Sequence, residues 1–385
     1  MRVTPTIFRL YDIRGIAGQD FTPADVAEYE RWYGPWPGVN ITRDVAQAIG
    51  QAYATFMIRR FAAKKILVGH EQRPNAEEIT EAFITGVRST GCQVTDAGIT
   101  LTPIIYFTSC HSAFDGAVNI TGSHNVSCYN GFKLVGRKGW PIWGDELQEI
   151  RRLIEQNDFI KAKKPGTLVS HDYYPEYEKE QCRRVKLHRP LKIVVDTGNG
   201  SAGLFAGRFF RKLGCETAVL YEKVDPSFPN HIPDPEDPAS LAELGKMVVA
   251  EKADLGIGLD ADGDRVGAVD EQGRFIDADT LLMIFAQDVL TRYPGRTILY
   301  DVKTTRLIDA MVPKWGGKTL MHMTGHAPIK QTMRHRPEVV LAGEMSGHLF
   351  FTENYYGVDD GLHSAARLLE LVSRTKKPIS SWFAS

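Results

Sequence analysis

Between Lys65 and Thr95 a short apolar run, an amphipathic stretch and a second run opening on glycine follow one another. Lys65-Ile-Leu-Val-Gly69 reads as a strand, Asn75 to Ser89 carries Ile79, Phe83 and Val87 at helical spacing, and Gly91-Cys-Gln-Val-Thr95 starts the next strand. The unit returns as Lys192 to Asp196, a helix from about Ala202 to Leu213, and Gly214 to Ala218. It returns again as Thr297 to Asp301, a helix through Leu307 and Met311, and Gly316 to Leu320. Three such units predict three related α/β domains, spaced too widely for a solenoid. Lys161 to Gly166 reads as a linker between the first two.

Other stretches fill in the first domain. Thr22-Pro-Ala-Asp25 predicts a helix start, with Thr22 as cap and Pro23 in the first position. Glu30 to Asn40 holds Trp32, Trp36, Pro35, Pro37 and two glycines, which predicts an ordered aromatic loop. Val45, Ile49, Ala52, Tyr53 and Phe56 lie at the spacing of one helical face. An apolar run from Gly116 to Ile120, a polar loop and a second run through Phe132, Leu134 and Val135 predict strand, loop and strand.

Composition narrows the partners. The 385 residues suffice for two to four cores, and 43% hydrophobic with 24% charged residues is ordinary for a globular protein. A formal net charge of −1 gives no reason to expect nucleic acid or an anionic membrane as partner. Cys92, Cys110, Cys128, Cys182 and Cys215 are scattered and odd in number, as buried thiols of a reducing compartment would be. No apolar run has the length of a membrane span, and Arg2, Arg9, Asp12 and Arg14 interrupt any secretory leader. The expected location is the cytoplasm.

Four stretches carry candidate chemistry. In T-G-S-H-N-V, Ser123 sits near a loop tip beside Gly122, His124 and Asn125, with Lys133 at the base of the return strand. A serine hydroxyl needs a neighbour to handle its proton, and these parts suit phosphoryl or acyl transfer. A polar turn of ordinary turn-formers is the plain alternative. Gly198-x-Gly200-x-x-Gly203 with Glu222 matches the dinucleotide fingerprint, but the proline-rich Asp225 to Pro238 follows instead of another βα unit. Asp260-Ala-Asp262-Gly-Asp264-Arg265 places three carboxylates at alternate positions after an apolar strand, a donor set suited to Mg²⁺ or Ca²⁺. Arg265 stands where an EF-hand requires glycine, and Val266 to Phe275 reads as a hairpin, so a Mg²⁺ site beside a guanidinium fits better. Glu344, Ser346 and His348 alternate after the strand Val339 to Ala342, where they can hydrogen-bond sugar hydroxyls.

The order T-G-S-H-N, Y-N-G-F-K, D-x-D-G-D-R, T-G-H-x-x-I-K and G-E-M-S-G-H resembles the α-D-phosphohexomutase family, in its phosphomannomutase/phosphoglucomutase branch, from Phe8 to about Leu371. The resemblance implies mixed sheets sandwiched by helices with an active-site cleft between the domains. It implies domains at 1–168, 169–272 and 273–376, with 377–385 as the stub of a missing fourth. Ser123 would carry the phosphoryl group, and Asp260, Asp262 and Asp264 would hold Mg²⁺ against it. Arg14, His124, Lys133 and Arg265 would surround the phosphoserine, Lys133 as general acid/base. Tyr11, Lys303, His326, Lys330, Glu344, Ser346 and His348 would bind substrate, and the Gly198–Gly203 turn would bind no dinucleotide. The implied activity is a reversible phosphoryl shift between positions 1 and 6 of mannose or glucose phosphates, with a hexose 1,6-bisphosphate as intermediate and activator. The implied protein is a monomer or weak oligomer. A phosphoglucosamine mutase and a non-catalytic sugar-phosphate binder are the alternatives, and Met345 in the sugar loop favours mannose or glucose. Two departures are visible: Val126 stands where the family's serine loop has proline, and no phosphate-gripping R-x-S-N/G-T loop follows before Ser385. The second predicts weak mutase activity.

Overall fold

The computed structural model describes residues 3–18 and 21–382. By internal contacts the chain divides into two compact units, residues 1–99 with 111–172, and residues 100–110 with 173–385.

The first unit holds β1 (Ile13–Ile16), α1 (Pro23–Tyr33), α2 (Arg43–Phe61), β2 (Lys65–His70), α3 (Ala76–Ser89) and β3 (Gln93–Ile99). The next helix, α4 (Thr102–His111), belongs to the second unit apart from its last residue. The chain then returns for β4 (Gly116–Ile120), β5 (Tyr129–Gly136), α5 (Asp145–Gln156) and β6 (Leu168–Ser170). Their sheet has the order β1-β5-β4-β2-β3-β6. The Thr42 side chain caps α2 by accepting from the Val45 N–H, with Asp44 in the first turn and Arg59 and Arg60 in the last, matching the helix dipole at both ends. Tyr53 and Phe56 of α2, Phe83 and Val87 of α3, and Leu147 and Ile150 of α5 are buried with Ile66, Val68, Val118 and Phe132 of the sheet.

One expectation needs correcting here. Glu30 to Asn40 is not all loop: α1 continues through Tyr33, and the irregular chain begins only at Gly34. Tryptophan and tyrosine are tolerated in helices, whereas Pro35 disfavours helical backbone at the residue before it. Trp36 packs edge-on against Phe21 and Tyr29, each at 5.0 Å between ring centroids. The Lys161 to Gly166 segment is tied to the end of α3, where the Arg88 Nε donates to the Gly166 carbonyl at 2.8 Å.

The second unit continues with α6 (Tyr174–Arg184), β7 (Leu191–Asp196), α7 (Ala206–Leu213), β8 (Cys215–Leu220), α8 (Ala242–Glu251), β9 (Leu255–Leu259), β10 (Val266–Val269) and β11 (Phe275–Ile276). Then follow α9 (Ala278–Arg292), β12 (Thr297–Asp301), α10 (Leu307–Met311), β13 (Lys318–His322), α11 (His326–His335), β14 (Val339–Gly343), β15 (Leu349–Phe351) and α12 (Gly361–Ser373). They form two sheets, β11-β10-β9-β7-β8 and β13-β12-β14-β15.

All three sheets share one arrangement. Three parallel strands, β3-β2-β4, β8-β7-β9 and β13-β12-β14, are each followed by an antiparallel neighbour: β5, β10 and β15. The central strand of each, β2, β7 or β12, is the first strand of one of the three sequence units. The fold is therefore α/β with three related mixed sheets. No helix among the described residues is long and apolar enough to cross a membrane.

Asp360 caps α12 at the centre of a buried polar cluster. Its carboxylate accepts from the His363 N–H at 2.8 Å, the Tyr177 hydroxyl at 2.9 Å, the Tyr355 hydroxyl and, at 3.3 Å, the Gln181 Nε2. Burial pushes its pKa up to about 6; the hydroxyls and the His363 N–H pull the other way, and neighbouring Asp359 adds to the rise. A carboxyl whose folded pKa exceeds its unfolded value of about 4 favours folding fully below that value, and the contribution is lost as pH rises through about 6. The loss is on the order of 3 kcal/mol. Asp360→Asn should remove this fall between pH 4 and 6; thermal midpoints of both proteins across that range check it, and parallel profiles would disprove the assignment.

Candidate active site

The serine loop closes the β4–β5 hairpin, in which Asn119 pairs with Lys133 and Ile120 with Phe132. Ser123 is 1% exposed and has φ of +53°, a left-handed conformation that costs a residue with a Cβ on the order of 1 kcal/mol or more. Such backbone persists only where its surroundings impose it. Here the wholly buried Arg73 does so: its guanidinium donates to the carbonyls of Ser123, Asn125 (2.9 Å), Val126 (2.8 Å) and Tyr129 (3.1 Å) and pairs with Glu71. The other Glu71 oxygen accepts from the Thr121 hydroxyl and the Ser123 N–H (3.3 Å). Gly122 is required beside this clamp, because a Cβ there would lie 2.5 Å from the Arg73 guanidinium carbon.

Arg14, on β1, reaches the same loop. It donates to Asn125 Oδ1 at 2.6 Å and the Gly122 carbonyl at 3.3 Å, and pairs with Asp12 at 2.7 Å. His124 Nδ1 lies 3.3 Å from Ser123 Oγ. Lys133 is 3% exposed at the base of the hairpin, and Tyr11 is half-buried just before β1. Glu71 and Arg73 were not anticipated; their signal was their place directly after the strand Lys65 to His70.

In the second unit, the β9–β10 turn carries Asp260, Asp262 and Asp264, all fully buried, with one carboxylate oxygen of each within 4.8 Å of the others. Arg265 is the adjacent cation, with its Nε 3.9 Å from Asp260 and Nη1 3.8 Å from Asp234. Burial lowers the Arg265 pKa, but Asp260, Asp234 and Asp264 raise it further, so it remains charged. The turn is tied down by backbone: Thr102 N–H donates to the Asp262 carbonyl (3.0 Å), Ala202 N–H to Ala261 (3.2 Å) and Gly361 N–H to Gly263 (3.0 Å).

The β14–β15 turn carries Glu344, Ser346 and His348, the residues expected to bind sugar. Glu344 accepts from the Gly325 N–H at 2.6 Å and lies 3.3 Å from His348 Nδ1; Ser346 Oγ is 2.9 Å from the same nitrogen. His348 Nε2 is 3.5 Å from Asp264, and the Val266 N–H donates to the Gly347 carbonyl at 3.1 Å, so the two turns meet. Burial raises the Glu344 pKa, but His348 and the Gly325 N–H lower it more, keeping a carboxylate. His326, at the start of α11, stacks obliquely 5.8 Å from His348. Lys330 is 1% exposed and paired with Asp359 at 2.6 Å, so its charge is held inside the protein. Lys303 is exposed beyond β12 and is one of the cations acting on Glu236.

The chain is similar to known proteins along nearly its whole length. Family models described as phosphoglucomutase/phosphomannomutase, alpha/beta/alpha domains I, II and III match residues 5–161, 172–273 and 277–385. A Pseudomonas aeruginosa protein named phosphomannomutase/phosphoglucomutase is 40% identical over 380 residues, 99% of this chain and 77% of its own length. A Neisseria gonorrhoeae phosphoglucomutase is 38% identical, covering 98% of this chain and 77% of its own. A crystal structure of a phosphoglucomutase/phosphomannomutase family protein from Burkholderia thailandensis superposes with a TM-score of 0.88 at 37% identity, covering 99% of this chain and 79% of the other. The chain belongs to the phosphoglucomutase/phosphomannomutase family.

Arg73→Lys keeps the charge but removes the planar fork that serves several carbonyls. Losing two charge-assisted bonds, about 1.5–3 kcal/mol each, should speed amide exchange across residues 121–129 on the order of 10²-fold or more. Exchange should be unchanged in β2 and β4. Parental exchange in the loop would show that Arg73 does not hold it.

Proposed function

We propose that this chain moves a phosphoryl group reversibly between positions 1 and 6 of glucose and mannose phosphates, through phospho-Ser123 and a hexose 1,6-bisphosphate. The observation that carries the reading is Ser123, fixed in a left-handed backbone by Glu71 and Arg73. It lies in a chain 40% identical to a protein named phosphomannomutase/phosphoglucomutase.

In the forward half-reaction a substrate hydroxyl attacks phospho-Ser123. The Oγ–P bond breaks, a new O–P bond forms, and Lys133 takes the hydroxyl proton and passes it to the departing Ser123 Oγ. The bisphosphate turns over, Ser123 Oγ attacks its other phosphate, and Lys133 carries the serine proton to the departing sugar oxygen. Positioning and charge neutralisation supply most of the catalysis in such transfers. Arg14 and His124 hold the serine loop, and Arg265 supplies fixed positive charge.

Three buried carboxylates so close together form an oxygen donor set that fits a divalent cation. Asp260, Asp262 and Asp264 would hold Mg²⁺, which when bound would neutralise charge on a phosphoryl group. Glu344, Ser346 and His348 receive the ring hydroxyls, with Tyr11, Lys303 and His326 as further substrate contacts. Lys330 acts through Asp359, which it neutralises.

Ser123→Ala should abolish mutase activity, and intact mass should show that the parent, but not the variant, gains one phosphate from a hexose 1,6-bisphosphate. An active alanine variant, or phosphate mapped to another peptide, would refute the assignment. Glu344→Ala should raise KM for both hexose phosphates about 10- to 150-fold, the equivalent of one lost hydrogen bond to a charged group. Steady-state kinetics equal to the parent's would place the sugar elsewhere.

A further inference from the structure

Helix α4 begins at the metal loop. Thr102, its first residue, is fully buried and makes two bonds to one residue of that loop. Its backbone N–H donates to the Asp262 carbonyl at 3.0 Å, and its hydroxyl donates to Asp262 Oδ2 at 2.6 Å. The preceding Leu101 packs against Gly263, whose φ is +74° and where an added Cβ would lie 3.1 Å from a Leu101 methyl. The start of a ten-residue helix, with its positive end, thus braces the middle of the Asp260–Asp264 turn.

We infer that Thr102 is a positioning residue for the metal site, orienting the Asp262 carboxylate through its hydroxyl. The inference rests on the Mg²⁺ reading of the aspartate turn. A short charge-assisted bond to one carboxylate oxygen fixes the plane of the group, and the backbone bond fixes the chain that carries it. Together they remove the rotation Asp262 would otherwise lose on binding an ion. Partners of this kind around a metal ligand typically contribute 10- to 100-fold in metal affinity when removed. Neither bond touches substrate, so the effect belongs on the metal and not on the sugar.

The test is isothermal titration of the whole, metal-stripped chain with Mn²⁺. Thr102→Val has the shape of threonine without the donor, and should weaken Mn²⁺ binding on the order of 10- to 100-fold. Thr102→Ser keeps the hydroxyl and should bind within a few-fold of the parent. In kinetics the valine variant should need proportionately more Mg²⁺, with hexose-phosphate KM unchanged at saturating Mg²⁺. If valine disturbs the packing at Leu101, Thr102→Ala against Thr102→Ser gives the same comparison. Parental Mn²⁺ affinity without the hydroxyl, or equal weakening in the serine variant, overturns the inference. Asp262→Asn separates the two levels. If it too binds Mn²⁺ like the parent, the metal reading itself is wrong; if it alone loses affinity, only the role of Thr102 falls.

Discussion

Three buried carboxyl groups with oxygens within 4.8 Å of one another set the terms for the second unit. Ionised together, at an effective dielectric constant of 20, each pair at that distance would repel by roughly 3–4 kcal/mol, a large fraction of a domain's net stability. Arg265 offsets part of this. A divalent cation would offset most of the rest, which is why the donor set points to a metal. Until it binds, the turn must be kept from opening. The backbone bonds from Thr102, Ala202 and Gly361 do that, drawing on three separate elements.

The same constraint explains a motif that otherwise misleads. Gly198 to Gly203 has the spacing of a dinucleotide loop, yet the turn it makes is packed against protein. A Cβ at Gly200 would lie 2.5 Å from the Ala261 Cα, and the Ala202 N–H bonds to the Ala261 carbonyl. The glycine spacing that elsewhere lets a backbone approach pyrophosphate here lets it approach another backbone. Spacing alone does not distinguish the two.

Much of the fold was legible because its signals are local. Ile79, Phe83 and Val87 announce α3, and the Val266–Phe275 hairpin follows from its turn residues. The site was legible as far as chemistry-bearing residues cluster in sequence, as in Asp260–Arg265 and Glu344–His348. What stayed hidden depends on contacts distant along the chain. Arg73 is 50 positions from Ser123 and Thr102 is 160 from Asp262. Both come from runs, H-E-Q-R-P and L-T-P-I, with nothing to mark them as functional. Lys330, expected to bind substrate, is paired inside the protein with Asp359, a partner its motif does not announce. The α1 boundary was misplaced for a different reason, since aromatic and proline content was read as loop before Pro35 begins to act.

The repeated sheet explains why the candidate turns lie where they do. The Ser123 loop joins β4 to β5, the aspartate turn β9 to β10, and the Glu344–His348 turn β14 to β15, so each is the same connection in its own sheet. In each case a parallel strand ends and the chain reverses into an antiparallel neighbour. Ligands in α/β sheets gather at such strand ends, where side chains leave the core and backbone N–H groups become available. A neighbouring loop braces each turn: Glu71 and Arg73 after β2, Gly200 and Ala202 after β7, and Gly325 after β13. The first two follow the central strand of their sheets, and the third follows the strand beside it. One architecture thus supplies, three times over, a tight turn held by an adjacent loop. The chemistry differs only through what occupies the turn: a hydroxyl, three carboxylates, or a carboxylate with an imidazole. Substitutions in the turns should therefore change chemistry with little change of fold, whereas substitutions in the braces should alter geometry at a site they do not touch.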